Sequence, residues 1–121
     1  WGLSFKPDTD DIREAPALYM IEKLIESGAE VVAHDPEAME NFKALSIGQQ
    51  MSFSINEYDA LDGADALLIC TEWSIYRNPD FEKMKTLLND PVIFDGRNLF
   101  DVQDMNAKGY FYSSIGRNLN S

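Results

Sequence analysis

Apolar blocks alternate along this chain with segments whose apolar residues recur every three to four positions. Gly2 to Phe5 reads as the end of a strand. Pro16 suits the first turn of a helix, and Leu18, Ile21, Leu24 and Ile25 then form one stripe that Gly28 ends. Glu30 to His34 (EVVAH) reads as a second strand, closed by a turn at Asp35 and Pro36. Glu37 to Leu45 predicts a short helix with Ala38, Phe42 and Leu45 inward. Met51 to Ser54 (MSFS) predicts a weak strand, and Asn56 to Leu61 a short helix closed by Gly63. Asp65 to Cys70 (DALLIC) is a continuous apolar run of the kind buried on both faces of a parallel sheet. Asp80 is placed to cap a helix whose Phe81, Met84, Leu87 and Leu88 face the core, and Val92 to Asp95 (VIFD) predicts another buried strand. Asp101 is placed to cap a helix running to Lys108, which Gly109 stops, and Tyr110 opens a last strand (YFYS).

This alternation predicts the α/β class: a doubly wound, Rossmann-like parallel sheet of about five to six strands. There is no internal repeat, low-complexity tract or linker, so residues 1–121 read as one domain. A central parallel strand usually has about five or six residues. The first apolar run offers too few before Lys6, so the expectation is a truncated first strand in a fragment of a longer protein.

The apolar run stops at Phe5, and the segment that follows holds Lys6, Asp8, Asp10, Asp11, Arg13 and Glu14. In open α/β sheets, ligands bind beyond the carboxyl ends of the strands, where strand order reverses. The segments that follow the strands here are Lys6 to Glu14, Asp35 and Pro36, Thr71 to Trp73, and Gly96 to Asn98. They are expected to bring Lys6, Arg13 and Arg97 to one edge as an anion site. An arginine fork matches phosphate or carboxylate, and each charge-assisted hydrogen bond contributes about 1.5–3 kcal/mol. The competing reading is a solvated charge run in which Asp11 and Glu14 favour the dipole of the next helix. A second polar element after a buried strand, DGRN at 95–98, shifts the balance toward a site.

Composition narrows the ligand class. A net charge of −11 argues against nucleic acid, which needs a basic face. It does not forbid a small anion, because charges beyond about 8 Å are screened at physiological salt. A single cysteine excludes an internal disulfide framework. No stretch is long enough to span a membrane and none resembles a signal peptide, so the expected setting is cytoplasmic with no membrane partner.

Other chemistries fit less well. A dinucleotide site needs G-x-G-x-x-G after the first strand, and this turn reads GLSFKP. Asp35 mimics a ribose-binding acid, but turn formation by Asp-Pro also explains it. A phosphoacceptor receiver domain needs an aspartate after the third strand and a lysine after the fifth, where Ile55 with Asn56 and Gly96 with Arg97 stand instead. Cys70 has no basic neighbour in sequence and reads as a core thiol. One histidine, His34, cannot build a histidine metal cluster or a catalytic triad. Trp73 and Tyr76 could stack on a base or sugar, and packing is the favoured reading.

The runs GLSFKPDTDDIREAP, ADALLICTEW, NPDF, FDGRN and the closing SIGR, in this order and at these separations, closely resemble the C-terminal, UDP-binding domain of the UDP-glucose 6-dehydrogenases. The likeness covers nearly the whole chain. It implies a longer enzyme, homodimeric or higher, with an N-terminal Rossmann domain for NAD and a central helical domain that carries the catalytic cysteine. Such an enzyme oxidises the sugar C6 alcohol twice with two NAD, through a thioester, to UDP-glucuronate. By motif position the resemblance implies that Phe5, Lys6 and Arg97 contact the UDP-sugar and that Arg13 contacts NAD held on another domain. The glycine-rich NAD turn and the nucleophile segment are absent here, and Cys70 lies in a different motif. This chain alone is therefore expected to be inactive and to bind UDP-sugar weakly. Two alternatives stand: a related dehydrogenase of UDP-N-acetylmannosamine or GDP-mannose, which shares similar loops, and a non-catalytic docking module between domains. TEW and DGRN favour the glucose enzyme.

Overall fold

Short parallel strands alternate with helices over residues 1–114, the part of the chain that the computed structural model describes. In chain order the elements are α1 (Pro16–Glu26), β1 (Val32–Ala33), α2 (Met39–Lys43), β2 (Ser52–Phe53), β3 (Leu67–Ile69), α3 (Phe81–Leu87), β4 (Val92–Asp95), α4 (Val102–Ala107) and β5 (Phe111–Ser114). Single 3-10 turns lie at Ile47–Gln50, Asp59–Leu61 and Ser74–Tyr76.

The helix ends form for the local reasons expected. Pro16 opens α1, and the Ser27 hydroxyl donates to the Lys23 carbonyl at its end before Gly28 turns left-handed. Asp80 and Asp101 accept the Lys83 and Asp104 N–H groups at 3.0 and 2.9 Å, capping α3 and α4.

All strand pairs are parallel. β1 pairs with β2, Val32 opposite Ser52, and β3, β4 and β5 pair in that order, Leu67 opposite Ile93 and Ile93 opposite Tyr112. The amino-terminal segment lies between these two ladders. Gly2 N–H donates to the His34 carbonyl, the Trp1 amino group donates to the Leu68 carbonyl, and Cys70 N–H donates to the Trp1 carbonyl, each at 2.8 Å. The spatial order is therefore β2, β1, the first segment, β3, β4, β5. The chain steps one way from the first segment and then the other, which is the doubly wound pattern and makes this segment the switch point.

The expectation of one sheet of about five to six strands is corrected: the described residues hold five strands, divided two and three. The segment from Gly2 to Phe5 does not form a strand, because Leu3 and Ser4 direct their N–H groups to the Asp35 carboxylate and not to a neighbouring chain. Gly2 also adopts φ +98°, and a Cβ there would stand 2.5 Å from the Thr71 Cβ, so only glycine fits.

Right-handed crossovers place helices on opposite faces when the chain winds in opposite directions, and the core divides accordingly. Leu3, Ala17, Ile21, Ala33, Ala38 and Phe42 form one cluster with α1 and α2. Around α3 and α4 the core is richer in aromatics and includes Trp1, Tyr76, Met84, Ile93, Met105 and Tyr112. Tyr76 is fully buried and stacks on Trp1 at 4.8 Å, and Trp73 is buried beside it, so both aromatics after β3 pack as expected. VIFD, expected to be a buried strand, buries Ile93 and Asp95 and leaves Phe94 exposed. Ile93 packs in one core with Met84 of α3 and Met105 of α4, while Phe94 and Phe111 form an edge-to-face pair, 36% and 60% exposed.

Candidate functional site

The carboxyl edge of the sheet is organised by buried carboxylates. Asp35, at the end of the β1 region, is fully buried and accepts six hydrogen bonds. Oδ1 takes the N–H groups of Glu37 and Ala38 at 2.9 and 2.8 Å. Oδ2 takes Leu3 N–H (2.7 Å), Ser4 N–H (3.0 Å), the Ser4 hydroxyl (3.1 Å) and the Trp73 indole N–H (3.1 Å). Burial pushes this carboxyl up, but the backbone N–H groups of Leu3, Glu37, Ser4 and Ala38 outweigh it and hold it below the usual aspartate value. With its lone pairs so engaged, Asp35 has no capacity to grip a ribose.

Asp95 does the same for the second rim loop. It is buried, with Oδ1 accepting Arg97 N–H at 2.8 Å and Oδ2 accepting Leu99 N–H at 2.7 Å and the Tyr112 hydroxyl at 2.6 Å. Burial and the adjacent carboxylate push the Tyr112 hydroxyl up to about 12. Asn98 completes the turn in the left-handed region at φ 57°.

This turn delivers Arg97 to the first loop. Its Nε donates to the Cys70 carbonyl at 3.0 Å and its Nη2 to the Phe5 carbonyl at 3.2 Å, while a Glu72 carboxylate oxygen lies 3.7 Å from Nε. One guanidinium thus joins the segments that follow β3 and β4 to the first segment. Phe5 N–H donates to the Asp11 carbonyl at 2.7 Å and closes the loop from 5 to 11. Lys6 follows directly and is exposed.

Of the expected site residues, the structure brings Phe5 and Arg97 into contact, with Lys6 next in the chain. Arg13 is engaged differently. Asp11 accepts from its backbone N–H, Nε and Nη2 at 2.9, 3.0 and 2.9 Å, and the arginine side chain is 87% exposed. The Arg13 hydrogen bonds hold the Asp11 carboxyl down to about 2.

Two cavities flank these elements. The larger, about 700 Å³, lies at the opposite edge, between α1 and the segments that enter β1 and β3. It carries Glu30, Asp62 and Asp65 and no lysine or arginine, so it repels a phosphate. A cleft of about 490 Å³ beside the first loop is lined by Asp8, Thr9, Asp10, Glu37 and Trp73. It too lacks a lysine or arginine among its lining residues.

No nucleophile stands at this rim. Burial pushes the Cys70 thiol up, away from the reactive thiolate. His34 is buried with Nδ1 2.7 Å from the Tyr76 hydroxyl, and burial pushes its pKa down. Among the described residues no cluster of His, Cys, Asp and Glu could hold a metal ion, and no helix is long and apolar enough to cross a membrane. Ser4, Thr71 and Glu72 have no role in the sequence reading; position directly after a strand was the available signal for Thr71 and Glu72, Ser4 had none, and their partners are distant in the chain.

Residues 1–102 match the model of the UDP binding domain of the UDP-glucose/GDP-mannose dehydrogenase family. The chain belongs to this family. It is 47% identical to UDP-glucose 6-dehydrogenase TuaD of Bacillus subtilis over 96% of its length, which is 25% of that relative. A UDP-glucose dehydrogenase structure from Pyrobaculum islandicum superimposes with a TM-score of 0.74 at 32% identity, covering 93% of this chain and 23% of that one. An NDP-N-acetyl-D-galactosaminuronic acid dehydrogenase structure from Methanosarcina mazei superimposes with a TM-score of 0.76 at 27% identity, covering 96% of this chain and 23% of that one. The chain thus spans about a quarter of these dehydrogenases. Of the five runs that carried the resemblance, SIGR extends past Ser114 to residues outside the described part.

Proposed function

We propose that this chain is the nucleotide-sugar-binding domain of a UDP-glucose 6-dehydrogenase and that Phe5, Lys6 and Arg97 receive the UDP-sugar. The observation that carries this reading is the Arg97 guanidinium fastened to the Phe5 carbonyl at the switch point, one residue from Lys6. The exposed Lys6 beside Phe5, the Arg97 bond to the Phe5 carbonyl and membership of a family whose domain is described as UDP binding support this reading. Nη1 of Arg97 has no partner among the described residues and is the position from which a phosphate oxygen would be held. The family's dehydrogenase activity belongs, in this reading, to a longer polypeptide with further domains, homodimeric or higher and cytoplasmic.

The residues present do not fit a self-contained NAD site. The first turn reads Ser4, Phe5, Lys6, Pro7 where a glycine-rich turn would stand, and Asp35 is committed to six internal donors. NAD would be held mainly by another domain, with the outward, exposed Arg13 as a contact from this one. The uncovered Phe94–Phe111 face is apolar enough to pack against such a domain.

Titrating UDP into the 121-residue chain tests the reading. Amide resonances of the 6–14 and 96–98 loops should shift together, and Arg97→Ala should weaken binding about 10-fold or more, the equivalent of one charge-assisted hydrogen bond. Saturating UDP that moves neither loop would refute it.

A further inference from the structure

Ser4 is fully buried, and it immediately precedes the two residues that emerge into the rim. Each of its polar groups has a partner. Its N–H and hydroxyl donate to Asp35, its hydroxyl oxygen accepts from the Trp73 indole at 3.1 Å, and its carbonyl accepts from the Thr71 hydroxyl at 2.7 Å. Thr71 is also fully buried. These partners come from two strand ends on either side of the switch point, after β1 and after β3. The next residue, Phe5, is held on both sides of its backbone by Asp11 and Arg97. From Lys6 onward the loop is charged and largely exposed.

The hydroxyls of Ser4 and Thr71 lie behind the rim. Their geometry sets where the Phe5 carbonyl points, and that carbonyl orients Arg97. A ligand-contacting group reaches full strength only when its supporting contacts fix it in the productive position. We propose that the Thr71 hydroxyl, through the Ser4 carbonyl, and the Ser4 hydroxyl, through Asp35 and Trp73, position Phe5, Lys6 and Arg97 for a diphosphate, so that these two buried hydroxyls govern ligand affinity without touching the ligand. The inference rests on the UDP-sugar reading of the site, and it names the groups that pre-organise it.

Thr71 offers a test that separates hydrogen bonding from packing. Thr71→Val keeps the shape and removes the hydroxyl; Thr71→Ser keeps the hydroxyl and removes the methyl group. A packing role predicts that serine is the more damaging change. Positioning predicts the reverse for binding: Thr71→Val and Ser4→Ala should raise the UDP dissociation constant by about 10-fold, the lower end of what removing a supporting partner costs at a bound centre. Thr71→Ser should stay close to the parent chain. Binding is measured well below each variant's melting temperature, so that unfolding does not enter.

Hydrogen exchange of the ligand-free chain supplies an independent readout. The Phe5 amide, which donates to the Asp11 carbonyl, should exchange faster in Thr71→Val and Ser4→Ala than in Thr71→Ser, while amides in α3 and β4 stay unchanged. If Thr71→Val and Ser4→Ala bind UDP like the parent chain, or leave exchange at Phe5 unaltered, the positioning role is overturned. If the parent chain itself fails to bind UDP, the proposed function falls, and the exchange pattern still decides whether these hydroxyls set the rim.

Discussion

Asp35 and Asp95 begin alike and end differently. Both lie at strand ends, both are fully buried, and both shape the turn that follows by accepting N–H groups a few residues on. Beyond its turn, Asp95 reaches one group, the Tyr112 hydroxyl on the neighbouring strand. Asp35 reaches four, from Leu3, Ser4 and Trp73. Location explains the difference. Asp35 stands beside the first segment, where strand order reverses and two chain ends open toward the same space, whereas Asp95 lies within a regular run of β3, β4 and β5. The same side chain is a local turn-former in one place and a junction between three segments in the other.

Exchanging each carboxylate for an amide tests that contrast most strongly. Asp35→Asn turns one acceptor into a donor that faces existing donors, and every orphaned group costs about 1–3 kcal/mol. Set against a total stability of about 5–15 kcal/mol, this should abolish the cooperative thermal transition seen by circular dichroism. Asp95→Asn should leave a folded chain with a lowered midpoint. Equal effects would erase the distinction drawn between the two.

Acid sharpens the comparison further. His34, buried and held below its ordinary 6.5, binds a proton more readily in the unfolded chain, so stability should begin to fall as pH drops below about 6.5. Asp35 and Asp11 lie below their ordinary 3.8 in the fold, so their contribution is fully present above that value and is lost as pH falls through the folded values. Melting temperature against pH should therefore show two descending limbs, and His34→Gln should remove the upper one alone. The smallest effect is expected from Tyr112→Phe, which deletes one donor to Asp95 and should cost about 1 kcal/mol in urea unfolding.

Local signals were the legible ones. VIFD at 92–95 is a strand with the bounds read from its apolar run, and the caps at Asp80 and Asp101 act through residues three positions away. β1 and β2 shrink to two residues each, because ladder pairing ends where the edge loops begin, which no apolar pattern encodes. The exposure of Phe94 follows from which residues of β4 pack in the core with α3 and α4, a property of tertiary packing. At the rim, Lys6 and Arg97 were legible as cations after strands. Ser4 and Thr71 were not, because their hydroxyls gain meaning only from partners far away in the chain: the Ser4 carbonyl for Thr71, 67 residues off, and Asp35 and Trp73 for Ser4.

Arg97 has a consequence for what else could stand there. An ammonium at this position would supply the same charge to a phosphate. It could not reach the Cys70 and Phe5 carbonyls with two separately aimed donors. The requirement at residue 97 is for a flat, branched cation that buttons two loops together, so even a charge-conserving exchange for lysine would unfasten the rim.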